Sequence, residues 1–153
     1  MRVALGSDHA GFALKARLIR ALAALGHEVQ DLGTHAAEPP VDYPDYCFPV
    51  AERVARGEAD RGVVLGGSGI GECIAANKVA GIRAALVTSA ETAALTRRHN
   101  DSNVLALGGR VNPDYDAVAE WLRIWLETPF EGGRHVPRLA KITAYEHAHL
   151  RGD

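Results

Sequence analysis

"GVVLGGSGIGECIAANK", residues 62–78, joins three local patterns in one stretch. An apolar, β-branched run breaks into a glycine-rich turn and then into a helical pattern, as a strand, a tight loop and a helix would. This order decides the fold. A strand that is apolar throughout belongs in a parallel sheet covered on both faces, and such sheets bind ligands beyond the carboxyl ends of their strands.

The same alternation extends in both directions. Residues 2–6, 27–33, 82–88 and 103–109 join 62–67 as strands. Residues 10–26 place Phe12, Leu14, Leu18, Leu22 and Leu25 near helical spacing and stop at Gly26; further helices are expected over 43–57, 71–81, 89–100 and 113–127, the last with Pro113 in its first turn. One more helix, opened by Pro137, follows outside the alternation. The expectation is a three-layer α/β/α Rossmann-like fold with a five-stranded parallel sheet and an additional C-terminal helix, as a single domain over 1–153.

Composition narrows the function. The chain has 153 residues, 47% of them hydrophobic and 24% charged, as in an ordinary globular protein. A net charge of −2 provides no basic footprint for nucleic acid and no polybasic arm for a membrane. Cys47 and Cys73 are too few for a disulfide framework and are expected to be reduced. With no signal-peptide core and no membrane-length apolar run, a cytoplasmic protein is expected.

The strand ends carry the chemistry: "GSDHAG" after the first, "GGSGIGE" after the third, "TSAE" after the fourth and "GGRVNP" after the fifth. The first turn lacks the G-x-G-x-x-G spacing of a dinucleotide site, although Asp31 lies where a ribose-binding acid would, and no G-K-[ST] follows the glycines. No H-E-x-x-H or zinc-spaced cysteine pair appears among the seven His and two Cys, so no metal is expected. Four glycines in residues 66–71 leave backbone N–H groups free at a helix start, which suits an anion or a developing oxyanion. With Gly69 as N-cap, Glu72 falls at the third helical position, where it could serve as a cap or as a base. Cys73 could be a nucleophile or a small core residue. Arg134 and Arg138, four apart, could grip one phosphate.

Taken together, "GSDHAG", "DYPDY", "GGSGIGECIAANKVAGIRAAL", "RRHNDSNVLALGGR" and "GRHVPR" resemble the type B ribose-5-phosphate isomerases and their galactose-6-phosphate relatives, in order, over residues 1 to about 146. The resemblance implies a metal-free, cofactor-free aldose-ketose isomerase of the pentose phosphate pathway. It would work through an enediolate, as a homodimer or tetramer with the site shared between subunits. By position, Asp8 and His9 would contact sugar or phosphate, and Gly67, Gly69 and Gly71 would stabilise the enediolate. Ser68 would handle protons at the reacting oxygens, and His99 would open the furanose ring. Asn100 would bind the sugar, Tyr43 would cover the pocket, and Arg110, Arg134 and Arg138 would hold the phosphate. Many members carry a cysteine base immediately before the glycine loop, where this chain has Gly66; a second, actinobacterial branch uses a glutamate matching Glu72, so Glu72 is the implied base and Cys73 has no assigned chemistry. The sugar is open between ribose 5-phosphate, a tetrose such as erythrulose 4-phosphate and a hexose phosphate. A non-catalytic nucleotide- or phosphate-binding module is the reading from a different class, and an inactive partner subunit is a third.

Overall fold

The computed structural model describes residues 1–149, so the last residues of the expected domain, 150–153, lie outside the described ones. Five strands form the sheet: β1 (Arg2–Ser7), β2 (Glu28–Asp31), β3 (Arg61–Gly66), β4 (Ala84–Leu86) and β5 (Val104–Gly108). Their order is β2-β1-β3-β5-β4 and every pairing is parallel. The helices are α1 (Phe12–Ala24), α2 (Pro44–Ala55), α3 (Ile70–Ala76), α4 (Ala90–Asn100), α5 (Tyr115–Glu127) and α6 (Val136–His149), with a 3₁₀ turn over Gly133–His135.

Strand periodicity builds the layers. Val3, Leu5, Val63, Leu65, Leu105 and Leu107 face a core with Leu14, Leu18 and Leu22 of α1, Ala93 of α4 and Val118, Leu122 and Trp125 of α5. The alternate residues Ala4, Val64, Val104 and Ala106 face Cys47, Val50 and Ala51 of α2 and Ala75 and Ala76 of α3. The second face is lined by smaller side chains, and α2 comes down close on it. A Cβ at Gly6 would lie 2.4 Å from the Tyr46 carbonyl oxygen, and one at Gly62 would lie 2.8 Å from Val50. That close seat brings the N-terminal end of α2 beside the loop that follows β3.

Several boundaries differ from the sequence expectation. The α3 helix ends at Ala76, well short of 81, with Asn77 as its C-cap: the Asn77 side chain ties the helix end to β4, its Nδ2 donating to the carbonyls of Cys73 (3.0 Å) and Ala84 (2.9 Å) and its Oδ1 accepting from Ala84 N (2.8 Å). Pro113 lies outside the first turn of α5; Asp114 caps it, its Oδ1 accepting from the Asp116 and Ala117 amides at 3.1 and 3.0 Å. Helix α6 starts at Val136, with Pro137 second, and none of its described residues is buried.

Asp31, placed by sequence where a ribose-binding acid would stand, is already engaged. Its Oδ1 accepts from the Lys15 ammonium and from Gly33 N (3.0 Å), and Lys15 also donates to the Thr34 carbonyl at 2.7 Å. Lys15 is 1% exposed in the first turn of α1, so this ion pair ties the start of α1 to the end of β2 and the segment after it. Replacing it leaves the Asp31 carboxylate without its cation, with only the Gly33 amide on Oδ1, and takes the Lys15 ammonium from the Thr34 carbonyl. Lys15→Met should lower the unfolding free energy by about 2–3 kcal/mol in urea titration, and a loss under about 1 kcal/mol would show that the pair is no anchor.

Candidate active site

The glycine loop turns at Gly69, whose φ of +81° carries the chain from β3 into α3. Ser68 Oγ accepts from Ile70 N at 3.2 Å, which leaves its hydroxyl proton free to point outward. Glu72 stands in the first turn of α3 as expected, yet it is only 3% exposed. The space it uses is specific. A Cβ built on Gly66 would fall 1.6 Å from Glu72 Oε1 and 2.3 Å from its Cδ, so the carboxylate fills the volume that a side chain at 66 would take.

Burial is the main reason that the Glu72 pKa lies above the ordinary carboxylate value; the amide of Glu72 itself pulls it down, the charge of Asp8 pushes it up and the Gly69 amide pulls it down again. The balance favours the protonated form more than in water. Asp8 is buried at the end of β1, where its Oδ1 accepts from Ala10 N (2.9 Å) and Gly11 N (3.0 Å) while its own amide donates to the Leu65 carbonyl (3.2 Å). His9 accepts from Val41 N at 3.2 Å through Nδ1, so in the neutral ring Nε2 carries the proton.

Two more loops close on this point. The amides of Gly109 and Arg110 donate to the Gly66 and Gly67 carbonyls at 2.8 and 3.0 Å, pinning the turn after β5 to the turn after β3. Tyr43 lies over Gly71, where a Cβ would sit 2.7 Å from the Tyr43 Cζ. The result is an open pocket of about 420 Å³ lined by Tyr43, Gly67, Ser68, Gly71, Glu72, Arg110 and Val111. It combines a buried carboxylate, a hydroxyl, an arginine and a helix start, and Val111 is the lining residue that sequence reasoning did not single out. A larger cavity of about 680 Å³, between α6 and the β4 edge, has mostly apolar walls, and we assign the chemistry to the smaller pocket.

Of the other expected site residues, Asp8, His9 and Gly69 belong to the turns after β1 and β3 without lining the pocket, and four more are elsewhere. His99, Asn100, Arg134 and Arg138 do not line the Glu72 pocket of their own chain. Asn100 faces the larger cavity, with its carbonyl accepting from Arg83 Nε at 2.9 Å, and Arg134, in the 3₁₀ turn, and Arg138, in the first turn of α6, are exposed charges. His99 stacks on His135, the ring centroids 4.4 Å apart and the planes 19° from parallel.

Among the described residues, His99, Glu131 and His135 bring one possible metal-ligand atom each within 4.8 Å of one another, a gathering that local sequence spacing does not reveal. An ion held by both imidazoles must lie in both ring planes, about 2.0–2.1 Å from each nitrogen. Planes stacked this way do not meet at that distance, so the cluster as arranged is a ring stack rather than an ion cage.

Both cysteines are unpaired. Burial raises the pKa of Cys73, whose Sγ donates to the Ala84 carbonyl at 3.5 Å. Burial, then the charges of Glu72 and Asp8, raise that of Cys47 still further. Both thiols therefore stay protonated near neutral pH, and Cys73 belongs to the packing of α3 on β4.

Residues 3–142 match the family model for ribose/galactose isomerases. The ribose-5-phosphate isomerase B of Escherichia coli K12 is 46% identical over 145 residues, covering 95% of this chain and 96% of that protein. The solved structure of ribose-5-phosphate isomerase B from Clostridium thermocellum superposes with a TM-score of 0.94 at 48% identity, over 97% of this chain and 99% of that one. The enzyme of the same name from Mycoplasma genitalium, solved with bound ribulose 5-phosphate, superposes at 0.91 with 40% identity, over 95% and 96% of the two chains. A likeness this extensive in both sequence and backbone goes beyond a shared fold, and the chain belongs to the ribose/galactose isomerase family.

Proposed function

We propose that the protein, as one domain, interconverts ribose 5-phosphate and ribulose 5-phosphate through an enediolate, with Glu72 as the base. The observation that carries this reading is the Glu72 carboxylate itself, buried in the space left by Gly66 at the edge of the glycine-loop pocket. Glu72 takes the proton from C2 of the open aldose and returns it to C1, while the hydroxyl proton moves from O2 to O1. The growing charge on the oxygens faces the glycine-loop amides, and Ser68 supplies a hydroxyl to those oxygens. In this reading Arg110, which lines the pocket, and the His9 Nε2–H take the phosphate and the sugar oxygens.

A base must be ionised to act, and the pKa of Glu72 is raised. The carboxylate that does the chemistry is therefore held at a cost to the fold. A group whose folded pKa exceeds its unfolded value stabilises the protein at low pH and loses that contribution as pH rises through the folded value.

The site is completed, in this reading, by a second copy of the chain in a homodimer. Support comes from His99, Asn100, Arg134 and Arg138, which lie outside the Glu72 pocket of their own chain, and from exposed apolar side chains on both regions: Ile70, Ile74 and Val111 near the pocket, and Val136, Ile142 and Tyr145 along α6. His99, Asn100, Arg134 and Arg138 of one protomer would meet Glu72 and Arg110 of the other. A cytoplasmic setting fits the two unpaired cysteines, and no described helix is long and apolar enough to cross a membrane.

Glu72→Gln should bind the sugar phosphate yet lose roughly 10²–10⁴-fold in kcat, and should melt at a higher temperature than the parent at pH 7 because no charge is buried. A coupled assay over four-, five- and six-carbon sugar phosphates, with the melting curve beside it, checks both; near-parent turnover in the variant removes Glu72 as the base. Asp8→Asn keeps an oxygen for the Ala10 and Gly11 amides but deletes a charge that raises the Glu72 pKa. The acidic limb of its kcat/KM profile should move to lower pH, and a limb that stays in place would separate Asp8 from the base. Mixing the impaired variants Glu72→Gln and His99→Asn in equal amounts, after subunit exchange, should restore up to about a quarter of parental activity, since half the dimers would then hold one intact shared site of two. No recovery despite proven exchange would mean that each chain holds its own complete site.

A further inference from the structure

His135 is a residue for which the proposed chemistry has no use, yet the structure invests in holding it. The residue is 5% exposed, and its Nε2 is buried without a hydrogen-bond partner, the Glu131 carboxylate standing 3.7 Å away. Unpartnered buried nitrogens cost stability and are uncommon in folded proteins. The segment that carries it is fastened to α4 close to His99: Glu131 N donates to the Arg98 carbonyl at 3.1 Å and Arg97 Nε to the Thr128 carbonyl at 3.3 Å. Gly132 and Gly133, at φ of +66° and +54°, then turn the chain so that the His135 ring lies flat on that of His99.

We propose that His135 is a positioning residue for His99, its fixed ring face setting the plane in which the His99 imidazole meets the sugar ring oxygen. The inference rests on the reading of His99 as the group that opens the furanose. In that step the bond between C1 and the ring oxygen breaks, the ring oxygen takes a proton from His99, and the anomeric hydroxyl releases its proton to water as C1 becomes the aldehyde. Proton delivery of this kind depends on ring orientation, and a stacked neighbour removes the freedom of the imidazole to turn about its bond to Cβ.

The neighbourhood suits a neutral partner. Burial first, then the charges of His99, Arg134 and Arg138, push the pKa of His135 down, and only Glu131 opposes them. A neutral ring adds no repulsion when His99 holds the transferable proton.

The chemistry of the substrates provides the test. Ribulose 5-phosphate cannot form a furanose, because its O5 carries the phosphate, so exchange of its C1 proton with solvent deuterium needs the base but not the ring-opening step. His135→Ala should lower kcat on ribose 5-phosphate on the order of tenfold while C1 exchange on ribulose 5-phosphate continues at the parental rate. His135→Phe, which keeps a flat face and lacks the nitrogens, should recover most of the kcat. His99→Asn should show the same split between turnover and exchange, and the double variant His99→Asn/His135→Ala should be no slower than His99→Asn alone, since one residue acts through the other. Losses that add, exchange that falls together with turnover, or parental turnover in His135→Ala would each overturn the proposal. Absence of ribose 5-phosphate turnover in the parent protein would instead overturn the functional reading beneath it, and the role of His135 with it.

Discussion

The Glu72 carboxylate and a side chain at position 66 cannot occupy the same space, and the pocket is organised around that exclusion. With glycine at the end of β3, the first turn of α3 folds its carboxylate back against the strand end, close to Asp8 and Cys47. A carboxylate in that position is shielded from water and sits at the start of a helix. The two effects oppose each other: the amides at the helix start favour the charged form, and burial disfavours it. Burial and the Asp8 charge prevail, which suits a group that must both accept a proton and release it.

The gap at Gly66 is available only because the rest of the sheet edge is pinned. The turn after β1 hydrogen-bonds to Leu65, the turn after β5 hydrogen-bonds to Gly66 and Gly67, and Tyr43 at the start of α2 rests on Gly71. The last contact follows from the unequal faces of the sheet. The side chains toward α2 are smaller than those toward α1 and α5, so α2 seats low and its first turn reaches the glycine loop. A pocket of about 420 Å³ thus rests on packing decisions made along the length of the strands.

Away from this pocket, His99 at the end of α4 and His135 in the 3₁₀ turn stack on each other, and Arg134 and Arg138 stand exposed in that turn and in the first turn of α6, a helix that packs little against its own chain. Among its described residues α6 buries none, although several of its side chains are apolar. An element built in this way is unfinished in isolation, and the placement of the charged residues beside it fits completion by a neighbouring copy.

Much of the fold was legible in the sequence. Apolar runs at 2–6, 62–67 and 103–109 and helical spacing between them announce strands and helices, because periodicity is a local property of each segment. The glycine loop and the position of Glu72 in the first turn of a helix are local too, while the significance of Gly66 came from the family resemblance. What the sequence could not show is which distant residues share a space. The insertion of β5 between β3 and β4, the burial of Lys15 against Asp31, the coincidence of the Glu72 carboxylate with the absent side chain of Gly66, and the meeting of His99, Glu131 and His135 all join segments through contacts across the tertiary structure. Their energies are set by packing and local polarity, which exist only once the chain is folded.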